Sequence, residues 1–401
     1  MDCKVRYFLT VALALSLLAC GKDGRELPSG GNTGTAVNPG TGDDPGQTGV
    51  TAPGNPDLSV LDLPLNEVTV LTAGHWLMNS SVMQCFAFRG DGSMFATQVA
   101  ASSSNENYKL NLVHKGIDSN AYKKYMQLAY FGHGANIVYE AGPAGEDWIW
   151  VGSYGTNTNT EGSYYISLNQ TVSRIRFEAG ATLLPEEVED HWYLPGINNI
   201  IPAIDFDRRQ IAFWGLALDG KTGYFFVYDL DEVLALQKKK MTLAKEIVRE
   251  PGTAAKSYTA EVRNLSELKA IATIRLTTAS WSGGTYNFGT GGNQGIEFKG
   301  GVIYHYHGAG NTNETANRVP VTSVVTAFAL DGHILGQHRV MAVADVDALE
   351  AAGITDTGFM ESEGIKIYGD RLYLGYATRC STDTRRHITI LSYPLKSKDE
   401  K

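Results

Sequence analysis

The sequence predicts an all-β protein: a five-bladed β-propeller with a short helical insertion, preceded by a leader and a linker. The first observation is a repeated sentence. QGIEFKGGVIYHYHG, from Gln294 to Gly308, is written again as EGIKIYGDRLYLGYA from Glu363. Three more segments share its grammar: QCFAFRGDGSMFATQ from Gln84, ANIVYEAGPAGEDWIWVGS from Ala135 and PAIDFDRRQIAFWG from Pro202. In each, apolar residues alternate with period 2, a Gly- or Asp-containing turn follows, and a second apolar and aromatic run returns. That is the pattern of a β-hairpin. The second observation is spacing. The intervals between starts, roughly 50–90 residues, exceed the 40–50 of the common propeller repeats, so extra loops or outer strands are implied. The competing architecture, a pair of β-sandwiches, would not demand five matching hairpins.

One extra element is visible inside the longest interval. Asp229 to Glu250 (DLDEVLALQKKKMTLAKEIVRE) has helical spacing and an Asp-x-x-Glu start of the kind that caps a helix.

The ends of the chain have a different character. Lys4 and Arg6 form a basic start, and Phe8 to Ala19 is an apolar run too short to span a bilayer comfortably. It closes on Leu17-Leu18-Ala19-Cys20, which resembles the lipobox of bacterial lipoproteins. The resemblance implies cleavage before Cys20, lipidation of that cysteine, and a protein held in the bacterial cell envelope, at the outer membrane, by acyl chains that do not cross it. Gly, Thr, Asn, Pro and Asp dominate from Gly21 to Asp57, so this segment buries too little surface to offset its ordering entropy. The organisation expected is a signal peptide over 1–19, a lipidated cysteine and linker over 20–57, and the propeller over 58–401.

Net charge is −9, from 34 Lys and Arg against 43 Asp and Glu. The basic residues are scattered, which argues against nucleic acid, because counterion release needs a basic patch. Of the four cysteines, Cys3 lies in the leader and Cys20 at the lipobox. Cys85 falls in the first hairpin and Cys380 just past the last, so in a ring they belong to neighbouring blades, bonded or free.

A family resemblance joins several of these segments. Tyr130-Phe131-Gly132-His133-Gly134 leads into an apolar strand and then Trp148-Ile149-Trp150-Val151-Gly152; Arg174-Ile175-Arg176-Phe177 is followed by Ala179-Gly180. With the Gln294–Glu297 and Glu363–Ile367 copies, these are similar to the helveticin-J-type bacteriocin family and look like teichoic-acid-associated and phage receptor-binding propellers. The resemblance covers about residues 80–395 in serial order. It implies a propeller that meets cell-envelope polymers. The sequence departs from the pattern at Ala135, at Val138, and at Thr378-Arg379-Cys380.

In a propeller the first strand of each blade lines the axis, so equivalent repeat positions gather around it. The first position holds Gln84, Ala135, Pro202, Gln294 and Glu363, and the fourth holds Ala87, Val138, Asp205, Glu297 and Lys366. These polar groups either converge on a ligand or cap strand ends around a wet channel. His133, between two glycines, either bonds a sugar hydroxyl or braces its loop. Trp281 and Tyr286, in the Gly-rich TASWSGGTYNFGTGGNQG, and Tyr154, beside Asn157 and Asn159, offer rings on which a sugar stacks; packing between blades is the alternative for each. His305 and His307 share a strand face without a third ligand nearby, so no metal is expected, and no cofactor motif is present.

Three functions remain. The first is a non-catalytic, envelope-tethered propeller that binds glycan through Gln84, His133, Tyr154, Trp281, Tyr286, Gln294, Glu297 and Glu363. The second is a protein-binding scaffold of an envelope assembly. The third is a glycoside hydrolase using Asp205, Glu297 and Glu363 around the axis. No Gly-x-Ser-x-Gly, His-Glu-x-x-His or phosphate loop supports another chemistry.

Overall fold

The structure is a computed structural model describing residues 63 and 65–395, apart from 80, 101–108, 156–158, 161–162, 165–168, 248–253, 255, 282–283, 289–291, 314–317, 355–357 and 380–384. The leader, Cys20, the linker, Asn157 and Cys380 lie outside the described residues. Cys85 is a buried free thiol. Among the described residues no helix is long and apolar enough to cross a membrane.

Five antiparallel meanders form five blades, as the sequence predicts. From inner to outer strand, blade 1 runs Met83–Phe88, Ser93–Val99, Lys109–Gly116 and Tyr122–Ala129. Blade 2 runs Ile137–Ala141, Asp147–Ser153, Thr171–Arg176 and Asp190–Tyr193. Blade 3 runs Ile197–Asp205, Gln210–Ala217, Gly223–Asp229 and Ala272–Leu276. Blade 4 runs Asn293–Lys299, Val302–Gly308, Ser323–Ala329 and Ile334–Arg339. Blade 5 runs Phe359–Tyr368, Arg371–Arg379, His387–Pro394 and, outermost, the early strand Thr69–Trp76. The inner strands touch in cyclic order, blade 5 against blade 1 included. The first two strands of each blade are the hairpins read from sequence, and the Gly300-Gly301 turn shows why: both residues are left-handed, at φ 63° and 77°, as a two-residue hairpin turn requires.

Both faces of a blade meet another blade, so inner strands are buried on consecutive residues; all six residues of Met83–Phe88 are buried. The cores lie between blades. Phe95, Leu112 and Ile149 fill the joint of blades 1 and 2, and Trp150, Trp192 and Phe213 that of blades 2 and 3. Trp214, Phe225 and Phe298 follow, then Tyr304, Tyr306 and Tyr376, and the ring closes with Phe86, Phe88 and Ile390. Each such side chain contributes roughly 1.5–3 kcal/mol on burial.

The extra length of the repeats goes into strands lent to neighbours. Blade 2's connection sends Thr182–Leu183 to pair with the outer strand of blade 1. Blade 3's connection sends Thr259–Asn264 and Lys238–Thr242 to widen blade 2. Asn311–Thr312, from blade 4, pairs with the inner strand of blade 5.

The helix expected over Asp229 to Glu250 is much shorter, covering Leu230–Ala235. Its start is as read: the Asp229 carboxylate accepts from Glu232 N at 3.0 Å. Blade 2 ends it. Trp192 Nε1 donates to the Val233 carbonyl at 2.9 Å and the Arg263 guanidinium to that of Leu236. The chain then turns extended, and Lys238 Nζ meets Glu189 at 3.1 Å while Lys239 Nζ meets Glu267 at 2.7 Å. A sheet edge offered ladder partners that the isolated helical pattern did not reveal.

Candidate functional site

All five inner strands start on one face of the ring, the entry face, and end in hairpin turns on the other. Between the faces the axis is filled. The second repeat position holds Cys85, Asn136, Ala203, Gly295 and Gly364, four small residues and one amide. A Cβ on Gly364 would lie 3.2 Å from the Cys85 Cα, and one on Gly295 3.3 Å from Asn136 Oδ1. The strands converge so tightly that a single larger side chain fits.

Asn136, 1% exposed, is that side chain. Its Nδ2 donates to the carbonyls of Pro202 at 2.6 Å and Ile296 at 3.1 Å, in blades 3 and 4. Its Oδ1 accepts from Lys366 Nζ at 3.1 Å in blade 5 and from the Cys85 thiol at 3.5 Å in blade 1. One amide thus bonds the other four blades. Burial raises the Cys85 thiol, with Lys366 opposing. Lys366 Nζ also lies 3.6 Å from Glu297 Oε2. Burial pushes the Glu297 carboxyl up, against the Lys366 ammonium and the backbone N–H groups of Phe298 and Ile367.

The structure therefore brings together Glu297 and Lys366 from the fourth repeat position, while Asp205 lies 3.7 Å from Lys299 Nζ. Asp205 accepts from Gly300 N at 2.7 Å and Arg208 N at 3.3 Å, tying the turns of blades 3 and 4. Ala87 and Val138 pack in the apolar joints. Two of the three candidate carboxylates, Asp205 and Glu297, bond to backbone N–H groups at or next to hairpin turns.

Polar side chains concentrate above the plug, at the entry face. Gln84 and Glu363 are each 3% exposed, and half-buried Gln294 donates through Nε2 to the Gly308 carbonyl at 3.4 Å. Glu361, also buried, lies two residues before Glu363, and burial pushes its carboxyl up to about 7, with Arg386 opposing. The sequence reading missed Glu361 because it falls before the repeat frame. It missed Asn198 too, a buried amide at the start of blade 3 without a hydrogen-bond partner among the described residues.

His133 is half-buried between Gly132 and Gly134, at φ 68° and 75°. A Cβ on Gly134 would sit 2.8 Å from Leu110 Cδ2, so only glycine permits this approach. Tyr130, Tyr154 and Asn199 also hold left-handed backbone, at φ 67°, 51° and 51°. All three lie in connections or strand starts of this face, and Arg209, at φ 53°, does the same in the blade 3 turn on the opposite face.

Tyr154 does not offer a ring to solvent. It is 2% exposed, packed 5.3 Å from the His191 ring and 6.3 Å from that of Tyr258. Trp281 and Tyr286 occupy a separate two-stranded hairpin, Thr278–Trp281 with Gly284–Asn287, between blades 3 and 4; their side chains lie outside the described residues. His305 and His307 are fully buried and bond each other, Nε2 to Nδ1 at 2.9 Å, with Asn293 Oδ1 2.9 Å from His305 Nε2. Desolvation pushes the His305 imidazole well below its usual range. Among the described residues no group of three or more His, Cys, Asp or Glu is placed to hold a metal.

Comparison with known proteins finds no matching family model and no matching curated protein. Several solved structures are similar. An exo-β-1,3-galactanase from Phanerochaete chrysosporium aligns at TM-score 0.42 and 8% identity over 82% of this chain and 64% of that one. This chain thus spans less than two thirds of the galactanase. A Dyadobacter fermentans protein of unknown function aligns at TM-score 0.35 and 11% identity, over 82% of this chain and 98% of that one. The catalytic domain of a Coprinopsis cinerea α-L-arabinofuranosidase aligns at 0.33 and 8% identity, over 86% and 99%.

Proposed function

We propose that the entry face is a glycan-binding surface without catalysis of its own, on a propeller that its leader tethers to the bacterial envelope. The observation that carries the reading is the plugged axis beneath a polar mouth. Asn136 closes the channel, so a ligand rests on the face and meets Gln84, His133, Gln294 and Glu363 there. Amide and carboxyl groups held in fixed orientations suit the hydroxyls of a sugar, and the charge balance disfavours a polyanion. The engagement of Asp205 and Glu297 in structural bonds supports binding over hydrolysis.

The test is a glycan array with the purified protein, followed by calorimetry on the best ligand. Gln84→Ala and Glu363→Gln are expected to weaken binding at least about tenfold, roughly 1.4 kcal/mol, measured at a temperature where melting curves show each variant folded. Unchanged affinity in both variants would reject the mouth as the site. Glu361 favours a second reading, hydrolysis, because a buried carboxyl with a pKa near 7 is suited to donate a proton. New reducing ends that appear with wild type and vanish in Glu361→Gln would select it.

A further inference from the structure

We propose that the cleft between blades 1 and 2 on the turn face is a second site, for a small anionic sugar carrying a carboxylate or a phosphate. It lies on the face opposite the mouth and does not depend on the glycan reading. Its volume is about 600 Å³, within the range of small-molecule sites.

The sign of the ligand follows from which charges are already engaged. Arg89 Nε donates to Asp147 Oδ1 at 2.7 Å, and its other arm meets Asp91. Asp147 also accepts from the Tyr139 hydroxyl at 3.1 Å. Asp91 accepts from Ser93 N at 3.1 Å and from the Ser93 hydroxyl, bonds that with Arg89 hold its carboxyl down to about 2. Glu146 accepts from Ala144 N at 3.0 Å. Every lining carboxylate therefore faces a protein donor.

The cations are not balanced in the same way. Lys124, from blade 1, makes no ion pair or hydrogen bond among the described residues, and it is exposed. Arg176, from blade 2, pairs with Glu178 at 3.0 Å, both side chains more than half exposed at 54% and 57%. Such a pair contributes little and exchanges readily for a ligand anion. Over the lining three cations stand against three carboxylates, so the cleft is balanced in total; the groups left to meet a ligand are Lys124 and Arg176, one from each wall.

The floor supplies the ring contact. Phe177 is half-buried, set edge-on to Phe95 at 5.0 Å and to His114 at 6.1 Å. Because the Ser93 hydroxyl donates to the ionised Asp91, His114 Nε2 must donate to Ser93 Oγ, at 2.8 Å. That bond fixes the imidazole against Phe95, 4.7 Å away, and keeps the floor rigid. An apolar ring in the same lining as two cations matches a sugar with one anionic substituent.

The experiment titrates the full-chain protein with glucuronate, glucose 6-phosphate, glucose and inorganic phosphate, followed by calorimetry at low salt. Saturable binding of one or both anionic sugars is expected, with Kd below about 1 mM. The two arms decide whether carboxylate or phosphate is preferred, and neither free phosphate nor glucose should compete at equal concentration. Lys124→Gln with Arg176→Gln should weaken binding at least about tenfold without moving the melting temperature, since both residues are exposed. Phe177→Ala should weaken it while leaving the charge preference. No saturation by either anionic sugar, equal binding of glucose or free phosphate, or full affinity in the Lys124 and Arg176 double variant would overturn the proposal.

Discussion

Asn136 concentrates the geometry of the whole ring into one side chain. Its two donors and two lone pairs are each spent on a different blade, at a level where every other residue is small. Removing a buried amide leaves each of its partners with the desolvation cost and no bond, about 1–3 kcal/mol apiece before relaxation. Asn136→Ala is therefore expected to cost roughly 3–5 kcal/mol, read as a lower urea midpoint at unchanged slope. Asn136→Asp should be no rescue, because the carboxylate cannot donate to the Pro202 and Ile296 carbonyls. The sequence reading stopped one residue short of this site. It weighed the first and fourth repeat positions, and Asn136 stands at the second.

Single strands carry their own tensions. Lys115 sits on the third strand of blade 1, fully buried, and its Nζ has no hydrogen-bond partner among the described residues. Burial lowers its ammonium to about 8, with Asp118 opposing. A lysine whose folded pKa lies below its unfolded value of 10.5 is destabilising wherever the unfolded chain holds the proton more tightly. The cost is fully present below pH 8 and fades as the pH rises toward 10.5. Lys115→Met is expected to stabilise the protein by roughly 1–3 kcal/mol at pH 7, and the gain should shrink across that alkaline window. Denaturant midpoints at pH 7 and pH 10 check both parts. The lent strands are a second matter at this scale. Lys238–Thr242 resembled a helix in isolation because KKKMT carries no alternation, and only the open edge beside Thr259–Asn264 makes it a strand.

At the scale of the whole molecule, five blades were legible because each begins with its own local hairpin, closed by a glycine turn in four of them and by residues 206–209 in blade 3. Pairings between segments far apart in the chain were not, since nothing near Thr182–Leu183 or Asn311–Thr312 announces which blade receives it. The same holds for Thr69–Trp76, which completes blade 5 by pairing Thr69 with Ser392 and Trp76 with His387. Gln84 and Glu363, singled out by repeat position, both stand at the entry-face starts of their blades, and both are buried. Tyr154 was misleading, because an Asn- and Thr-rich context hides that the ring turns inward onto His191.

That closing pair sets a timetable. The outermost strand of the last blade is among the first parts of the propeller to be made, so it waits with both edges bare until His387–Pro394 emerges. Contacts of such long sequence separation are the slow ones, and an unpaired strand is an aggregation hazard while it waits. A circular permutant that begins near Met83 and carries 63–77 after Leu395 turns the longest-range pairing into a local one. It should refold faster than the natural order, with less aggregate at equal concentration and a similar final stability. Stopped-flow refolding and light scattering measure both, and equal rates would place the slow step elsewhere in the ring. The joint that gives the finished ring its closure is thus also the point at which a chain being synthesised is longest unprotected.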